Sequence, residues 1–329
     1  MSKSLRLGIA LAACLGAGLA LSVRAEGGDP ALAPINTALQ AGQADKALAL
    51  LAQLPSGGRN NAAALNLACR VRFTLGDWEA AVRNCETAVR LEPGNSIFHM
   101  WLGRALGEKA SRAFFTTAYS LGKRVLAEFQ KAAELDPRNA EGLFDLGSFY
   151  VEAPSVAGGG LSKAESVAQE LDRVDPPRAW ELRARIAADR KDQAAAEANL
   201  KQAISLSRHP ASQWSTLARF YGDRKRWSEM DAAIGSCMAA AARDPRSGAA
   251  LYDAAGVLIA AGREPALAAR MLEDYVNGSA KTEEAPTFIA LSRLARLKEQ
   301  MGDHAGAQTA VAAALQLAQE YQPARDLRR

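Results

Sequence analysis

The sequence predicts an all-α fold, a right-handed solenoid of about eight stacked helical hairpins, on three observations. First, Trp180–Ala184–Arg185–Asp189–Arg190–Lys191 recurs 34 residues later as Trp214–Ala218–Arg219–Asp223–Arg224–Lys225, and Cys69–Arg70 recurs 34 residues on as Gly103–Arg104. A fixed period of this length marks a supersecondary unit that cannot bury its apolar face alone and stacks on its neighbours. Second, the chain is 49% hydrophobic but only 6% aromatic, with abundant Ala, which suits closely packed helices better than a β core. Third, no stretch shows sustained alternation of β-branched residues, so no sheet is expected.

The chain opens with a segment that reads as a leader. Lys3 and Arg6 precede an uncharged run, Leu7 to Val23, and small residues surround Ala25. This is the pattern of a secretory signal peptide cut after Ala25, giving residues 1–25 as leader and 26–329 as solenoid, with an exported, periplasmic protein as the expectation. Two alternatives stay open. The 17-residue run is at the lower limit for an uncut membrane anchor, and Leu11–Ala12–Ala13–Cys14 resembles a bacterial lipobox with Cys14 as the lipid-bearing residue. Only in these two forms would the membrane be a partner.

Charge narrows the partners. The chain carries 40 basic and 36 acidic side chains, net +4. Lys3, Arg6 and Arg24 fall in the leader, which holds no acid, so removing it leaves 37 against 36, net +1. Nothing in that balance calls for nucleic acid. Of the four cysteines, Cys69, Cys85 and Cys237 remain after cleavage, too few and too odd in number for a disulfide scaffold. The expectation is that each packs as a small buried apolar residue; a Cys69–Cys85 bridge between the two helices of one hairpin is the alternative in an oxidising compartment.

Along the chain, hairpins are expected to begin near Ala31, Asn61, Asn95, Ala140, Pro177, Ala211, Gly248 and Thr287. First helices follow an apolar-x2-Leu-Gly-x2-Tyr pattern, as in Leu143–Leu146–Gly147–Tyr150 and Trp214–Leu217–Ala218–Tyr221. Second helices follow Ala-x3-apolar-x2-Ala, often closed by Pro, as in Ala81–Cys85–Ala88–Pro93, Val125–Phe129–Ala132–Pro137 and Ala164–Ala168–Leu171–Pro176. These spacings keep the small residues on one helical face, and the proline ends the helix. Gly42, Gly76, Gly262 and Gly302 mark turns, with Lys191–Asp192 standing where a glycine is missing. The second helix after Ala211 is expected to be disturbed around Met230–Asp244. Two segments depart from the period. Residues 108–121 are about ten residues too long, which predicts extended helices with a protruding tip at 111–120. The Gly-rich loop 153–160 replaces a tight turn, and Ser162 with Glu165 is expected to cap the helix after it.

These residues resemble the tetratricopeptide repeat family over nearly the whole mature chain. The Phe149–Tyr150, Ala153–Pro154, Gly158–Gly159 and Lys163–Ala164 combination resembles a group of exported bacterial tetratricopeptide proteins, which brings no activity with it. The resemblance implies a non-catalytic scaffold that binds a protein or peptide in a concave groove. It also implies that the residue after each small packing residue looks into that groove: Arg70, Arg104, Arg185, Arg219 and Arg296. Arginine pairs carboxylates through two parallel hydrogen bonds, so this row suits an acidic partner. Asn66, Met100, Phe144 and Tyr252, one turn earlier, would supply amide and apolar contacts. Pairing of the arginines with Glu181, Asp189, Asp223 and Glu299 is the competing reading. An envelope-assembly subunit using the convex face or the 111–120 protrusion, and capture of an anionic envelope polymer, are alternatives in function.

Catalysis finds no footing. His99, His209 and His304 fall in different hairpins, none at metal-ligand spacing. No nucleophile–base motif is present, and Gly158–Gly159–Gly160 lacks the Gly-Lys-Ser/Thr ending of a phosphate loop. No cofactor, metal or small-molecule substrate is expected.

Overall fold

The structure is a computed structural model that describes residues 29–328. The leader, with its cleavage site and Cys14, lies outside the described residues. Among those described there are helices and turns and no strand.

Helices α1 (Ala33–Gln40) and α2 (Ala44–Gln53) form the first hairpin. A short α3 (Ser56–Arg59) leads to α4 (Ala62–Thr74) and α5 (Trp78–Leu91), then α6 (Ser96–Ser111) and α7 (Phe115–Leu135). Next come α8 (Ala140–Glu152), α9 (Leu161–Leu171), α10 (Pro176–Asp189) and α11 (Gln193–Leu206). The rest is α12 (Ala211–Gly222), α13 (Trp227–Arg243), α14 (Gly248–Ala261), α15 (Pro265–Asn277), α16 (Thr287–Gln300), α17 (His304–Leu317) and a final turn, α18 (Gln322–Arg325). The first helices thus start within two residues of the eight expected positions. The helix after Ala211 is not disturbed: α13 runs unbroken, because Met230, Ala233, Ile234, Cys237 and Ala240 keep a continuous buried stripe.

The same devices recur. Asn61, Asp77, Asn95, Asn139, Asp175 and Asp303 each accept a hydrogen bond from a backbone N–H in the first turn of the helix they open. At the tight turns Gly76 and Gly302 sit at φ +78° and +83°, and Lys191 and Lys225 take up the same left-handed conformation at φ 63° and 58°. Helix α9 departs from the expected cap. Gly160 occupies the N-cap and Ser162 lies one residue inside the helix, without a capping bond.

The described residues fall into two compact units, Ser56–Leu206 and the pair of segments 29–55 and 207–328. In the first unit, Cys69, Val82, Leu106, Phe129, Leu143, Leu171 and Leu182 belong to one continuous core. Close approach there depends on small residues: a Cβ added to Gly103 would lie 2.5 Å from the Phe129 ring. Cys69 and Cys85, both fully buried, form a disulfide across the α4–α5 hairpin with Cα atoms 5.3 Å apart. This corrects the expectation of two unlinked apolar residues. The packing that made them small also brought the sulfurs together.

In the same unit, α6 and α7 run 16 and 21 residues and leave Phe114 at their tip 91% exposed and Phe115 58% exposed. Extended helices carrying a protrusion are what the long spacing called for.

The second unit contains an arrangement that the linear order of hairpins did not suggest. The N-terminal α1–α2 hairpin packs on the C-terminal one. The Gln40 amide and Glu283 exchange hydrogen bonds, Thr287 Oγ1 donates to the Ala41 carbonyl, and the Gln319 N–H donates to Asp45. Gly42, at φ +67°, is pressed so close to α16 that an added Cβ would lie 2.3 Å from the Thr287 nitrogen. Covering a terminal hairpin in this way removes the apolar end that a stack of repeats otherwise leaves open.

Candidate functional site

The expected groove residues come from the first helices of successive hairpins, of which α4, α6, α8 and α10 neighbour one another in succession in the first unit and α12 neighbours α14 in the second. Their environments differ. In the first unit, Arg104 is buried at 8% exposure, donates to Asp145 at 2.6 Å and Glu141 at 3.2 Å, and stacks on Trp101 with its guanidinium 4.8 Å from the ring centre. Arg70, half-buried, flanks the same ring at 5.4 Å. Arg185 reaches Ser148 Oγ and Glu152, both at 3.2 Å, and lies over Phe144 at 4.9 Å. Arg178, which the sequence did not single out, joins it over Phe144 at 5.8 Å.

Helix α8 therefore answers the cations of its neighbours with Glu141, Asp145 and Glu152. Burial pushes the Asp145 carboxyl above its ordinary range even though Arg104 pulls it down. Burial likewise raises Glu152 despite Arg185. For Glu141 burial is more than offset by Arg104, Arg178 and Arg70, which hold it below the usual carboxylate range. Arg104 meets acids on the next first helix, 37 and 41 residues away, and Arg185 meets Glu152 on the preceding one.

The remaining residues singled out in this unit are covered. Asn66 and Met100 are each 2% exposed and Phe144 6%. Met100 packs in the core, and Asn66 has a buried side-chain nitrogen without a hydrogen-bond partner. Met100 and Phe144 therefore pack in the core, and Phe144 lies under the Arg178 and Arg185 guanidinium groups.

The second unit presents a more open set. Arg219 on α12 is half-buried and Arg296 on α16 is exposed. Arg293, also missed by the sequence reading, lies over the Tyr252 ring at 4.3 Å. Asp253 on α14 is the carboxylate that feels both Arg219 and Arg293. Tyr252 is 6% exposed, and burial pushes its phenol up to about 12. Tyr321 packs against Phe288 with ring centres 4.8 Å apart and feels Arg293 and Arg296. Arg219 and Arg293 thus act on Asp253, and Arg293 and Arg296 on Tyr321. Arg293 could have been found from sequence, one turn before Arg296 on the same helix; the small-residue-plus-Arg pattern selected only the latter.

Among the described residues no group of three or more His, Cys, Asp or Glu side chains could hold a metal ion, and no helix is long and apolar enough to cross a membrane. Cys237 is a buried free thiol that burial pushes up to about 12, out of reach of nucleophilic use at neutral pH.

Comparison with known proteins bears on the hairpins themselves. Residues 177–210, which hold α10 and α11, match the family model of the tetratricopeptide repeat. No curated protein matches the chain. Solved structures with some similarity include a thermophilic tetratricopeptide protein from Thermus thermophilus, 19% identical with a TM-score of 0.49 over 58% of this chain and 98% of that one. The C-terminal part of a repeat protein from Cytophaga hutchinsonii is 14% identical with a TM-score of 0.40, covering 90% and 98%. The pilF protein of Pseudomonas aeruginosa is 17% identical with a TM-score of 0.37, covering 80% and 95%.

Proposed function

We propose, for what is a tetratricopeptide-repeat protein and hence by fold a protein-interaction scaffold, that it is an exported adaptor without catalytic activity, binding an acidic protein segment along its first helices. The observation that carries this is the set of cations on the second unit's first helices, with Arg219 half-buried on α12, Arg296 exposed on α16 and Arg293 held over the Tyr252 ring. Arginine and tyrosine are the side chains that most often anchor protein interfaces, and both stand here on rigid helices. Arg70 and Arg185 extend the same register in the first unit, at a site whose own acids already meet much of the charge.

Export draws support from the leader-like sequence and from the Cys69–Cys85 disulfide, since such bonds persist in oxidising compartments and are rare in reducing ones.

The test is cross-linking of the tagged chain in intact cells of its source, with an Arg219→Glu/Arg296→Glu variant run in parallel and checked for native helicity. A partner captured by the native chain and lost by the variant supports the reading. A partner kept by both removes it and favours a second one, an assembly subunit docking through the α6–α7 tip. The 91% exposure of Phe114 supports that alternative, and deleting residues 111–120 would then abolish capture.

A further inference from the structure

We infer that the α6–α7 tip is an interfacial membrane anchor: Phe114 and Phe115 enter the surface layer of an anionic phospholipid bilayer, and the cations behind them meet its phosphates. This surface is separate from the first-helix face and its acidic partner.

Shape is the first argument. Phe114 is 91% exposed and Phe115 58% exposed, side by side where α6 turns into α7. Thr116 and Thr117 beside them are exposed as well. At the place where Asp77 and Asn139 cap α5 and α8, α7 carries Phe114, which accepts no capping bond. The tip also stands clear of the following hairpin. Gly158 presses on the Leu126 side chain, well along α7 from Phe115, which puts the 153–160 loop on the order of 16 Å below the apex. A narrow apolar point offers little area to a folded partner and suits a fluid layer that closes around it.

The belt behind the apex is the second. Arg112 lies over the Trp78 ring at 4.6 Å, and Lys123 over the Tyr119 ring at 4.7 Å. Tyr119 and Lys123 follow Phe115 by one and two turns, roughly 6 and 12 Å down the helix. Surface anchors bury their apolar side chains about 5–10 Å into the boundary between headgroups and acyl chains. With the phenylalanines at that depth, Trp78, Tyr119 and the two cations stand among the headgroups, where aromatic and basic side chains gather.

Charge is the third. From Lys109 to Ala127 the chain holds Lys109, Arg112, Lys123 and Arg124 and no acidic residue. Glu79, Glu108 and Glu86 pair with Lys109, Arg112 and Arg124 from the flanks. Each pair has an exposed member, and exposed pairs hold weakly, so lipid phosphates can exchange with these acids. Lys123 is exposed over its tyrosine. The cations outnumber the acids that meet them, which selects an anionic surface over a zwitterionic one.

The probe is a vesicle of phosphatidylglycerol and phosphatidylcholine in equal parts, floated with the chain beginning at Glu26 so that no leader contributes. A polarity-sensitive dye on Thr117→Cys reports insertion, since Cys237 is buried and stays unlabelled in the folded chain. The native tip floats with these vesicles, its dye shifts to the blue, and phosphatidylcholine alone holds it less. Phe114→Ser/Phe115→Ser weakens binding on the order of fiftyfold, the effect of half-burying two aromatic rings. Lys123→Gln weakens it about fivefold. Phe114→Ser alone, at the more exposed position, serves where the pair alters melting. No flotation of the native chain overturns the anchor, and so does flotation that survives the loss of both rings. A protein captured in intact cells and lost with the serine variant, while vesicles are ignored, overturns it in favour of a protein socket for the tip.

Discussion

Breaking the Cys69–Cys85 bond should cost the first unit measurable stability, and the size follows from how much chain it closes. The two cysteines are 16 residues apart. The chain-entropy relation for a loop of that length gives about 10 cal/mol/K, or about 3 kcal/mol at 25 °C, of freedom removed from the unfolded chain. A Cys69→Ala/Cys85→Ala variant loses that constraint while keeping small apolar groups at two fully buried positions. For a unit of this size each kcal/mol is worth about 2–4 °C, so melting falls by ~6–12 °C. Thermal unfolding followed by circular dichroism, with and without reductant, reads it directly. Reductant lowers the native midpoint to that of the variant and leaves the variant unmoved. A thiol assay on the denatured, unreduced chain beginning at Glu26 finds one reactive group, Cys237. Equal midpoints for native and variant chains would refute the entropic argument. Three reactive thiols would refute the bond itself and take away a support for export.

Two further changes probe the contacts that sequence order hides. Gly42→Ala places a Cβ 2.3 Å from the Thr287 nitrogen at a left-handed φ, and should loosen α1–α2 from α16 by about 2 kcal/mol; hydrogen exchange should quicken across 33–53 while residues 56–206 keep native protection. Arg104→Ala strands a buried carboxyl at Asp145 and should cost about 3 kcal/mol at pH 8. The loss shrinks toward pH 5, because the Asp145 carboxyl, already raised by burial, then takes a proton in the folded state more readily than in the unfolded one, so folding gains stability as pH falls. Urea midpoints at the two pH values check both the cost and its sign.

The hairpins were legible because their signals are local. Ala164–Ala168–Leu171, or the Gly76–Asp77 turn with its cap, can be read within a dozen residues, and no tertiary contact overrides them. The N-terminal hairpin's place was not legible for the opposite reason. Gln40 meets Glu283 and Ala41 meets Thr287 across 243 and 246 residues. Neither pair has any spacing that a period of 34 would single out. Burial alone could not separate the two readings of Cys69 and Cys85 either, since half-cystine and small packing residue occupy the same kind of position; only the facing of the two helices decided it.

The arginine row lies between these cases, and the reason bears on what such a row can do. A residue's register on its helix is fixed by period, so the face carrying Arg70, Arg104, Arg185 and Arg219 was readable. Its electrostatic state is fixed by the next hairpin. Glu141 and Asp145 sit four residues apart on α8, on the face turned toward α6, and they decide that Arg104 is spoken for. Asp253 stands three residues before the row's own place on α14, which Gly256 fills, and lies in the field of Arg219 and Arg293. Sequence repeats therefore specify where cations stand, whereas the acids of neighbouring first helices specify which of them remain for a partner. On this ground the second unit, where Arg219 is half-buried and Arg296 exposed, is the stronger place to look for binding than the first, where three acids of α8 already answer the row.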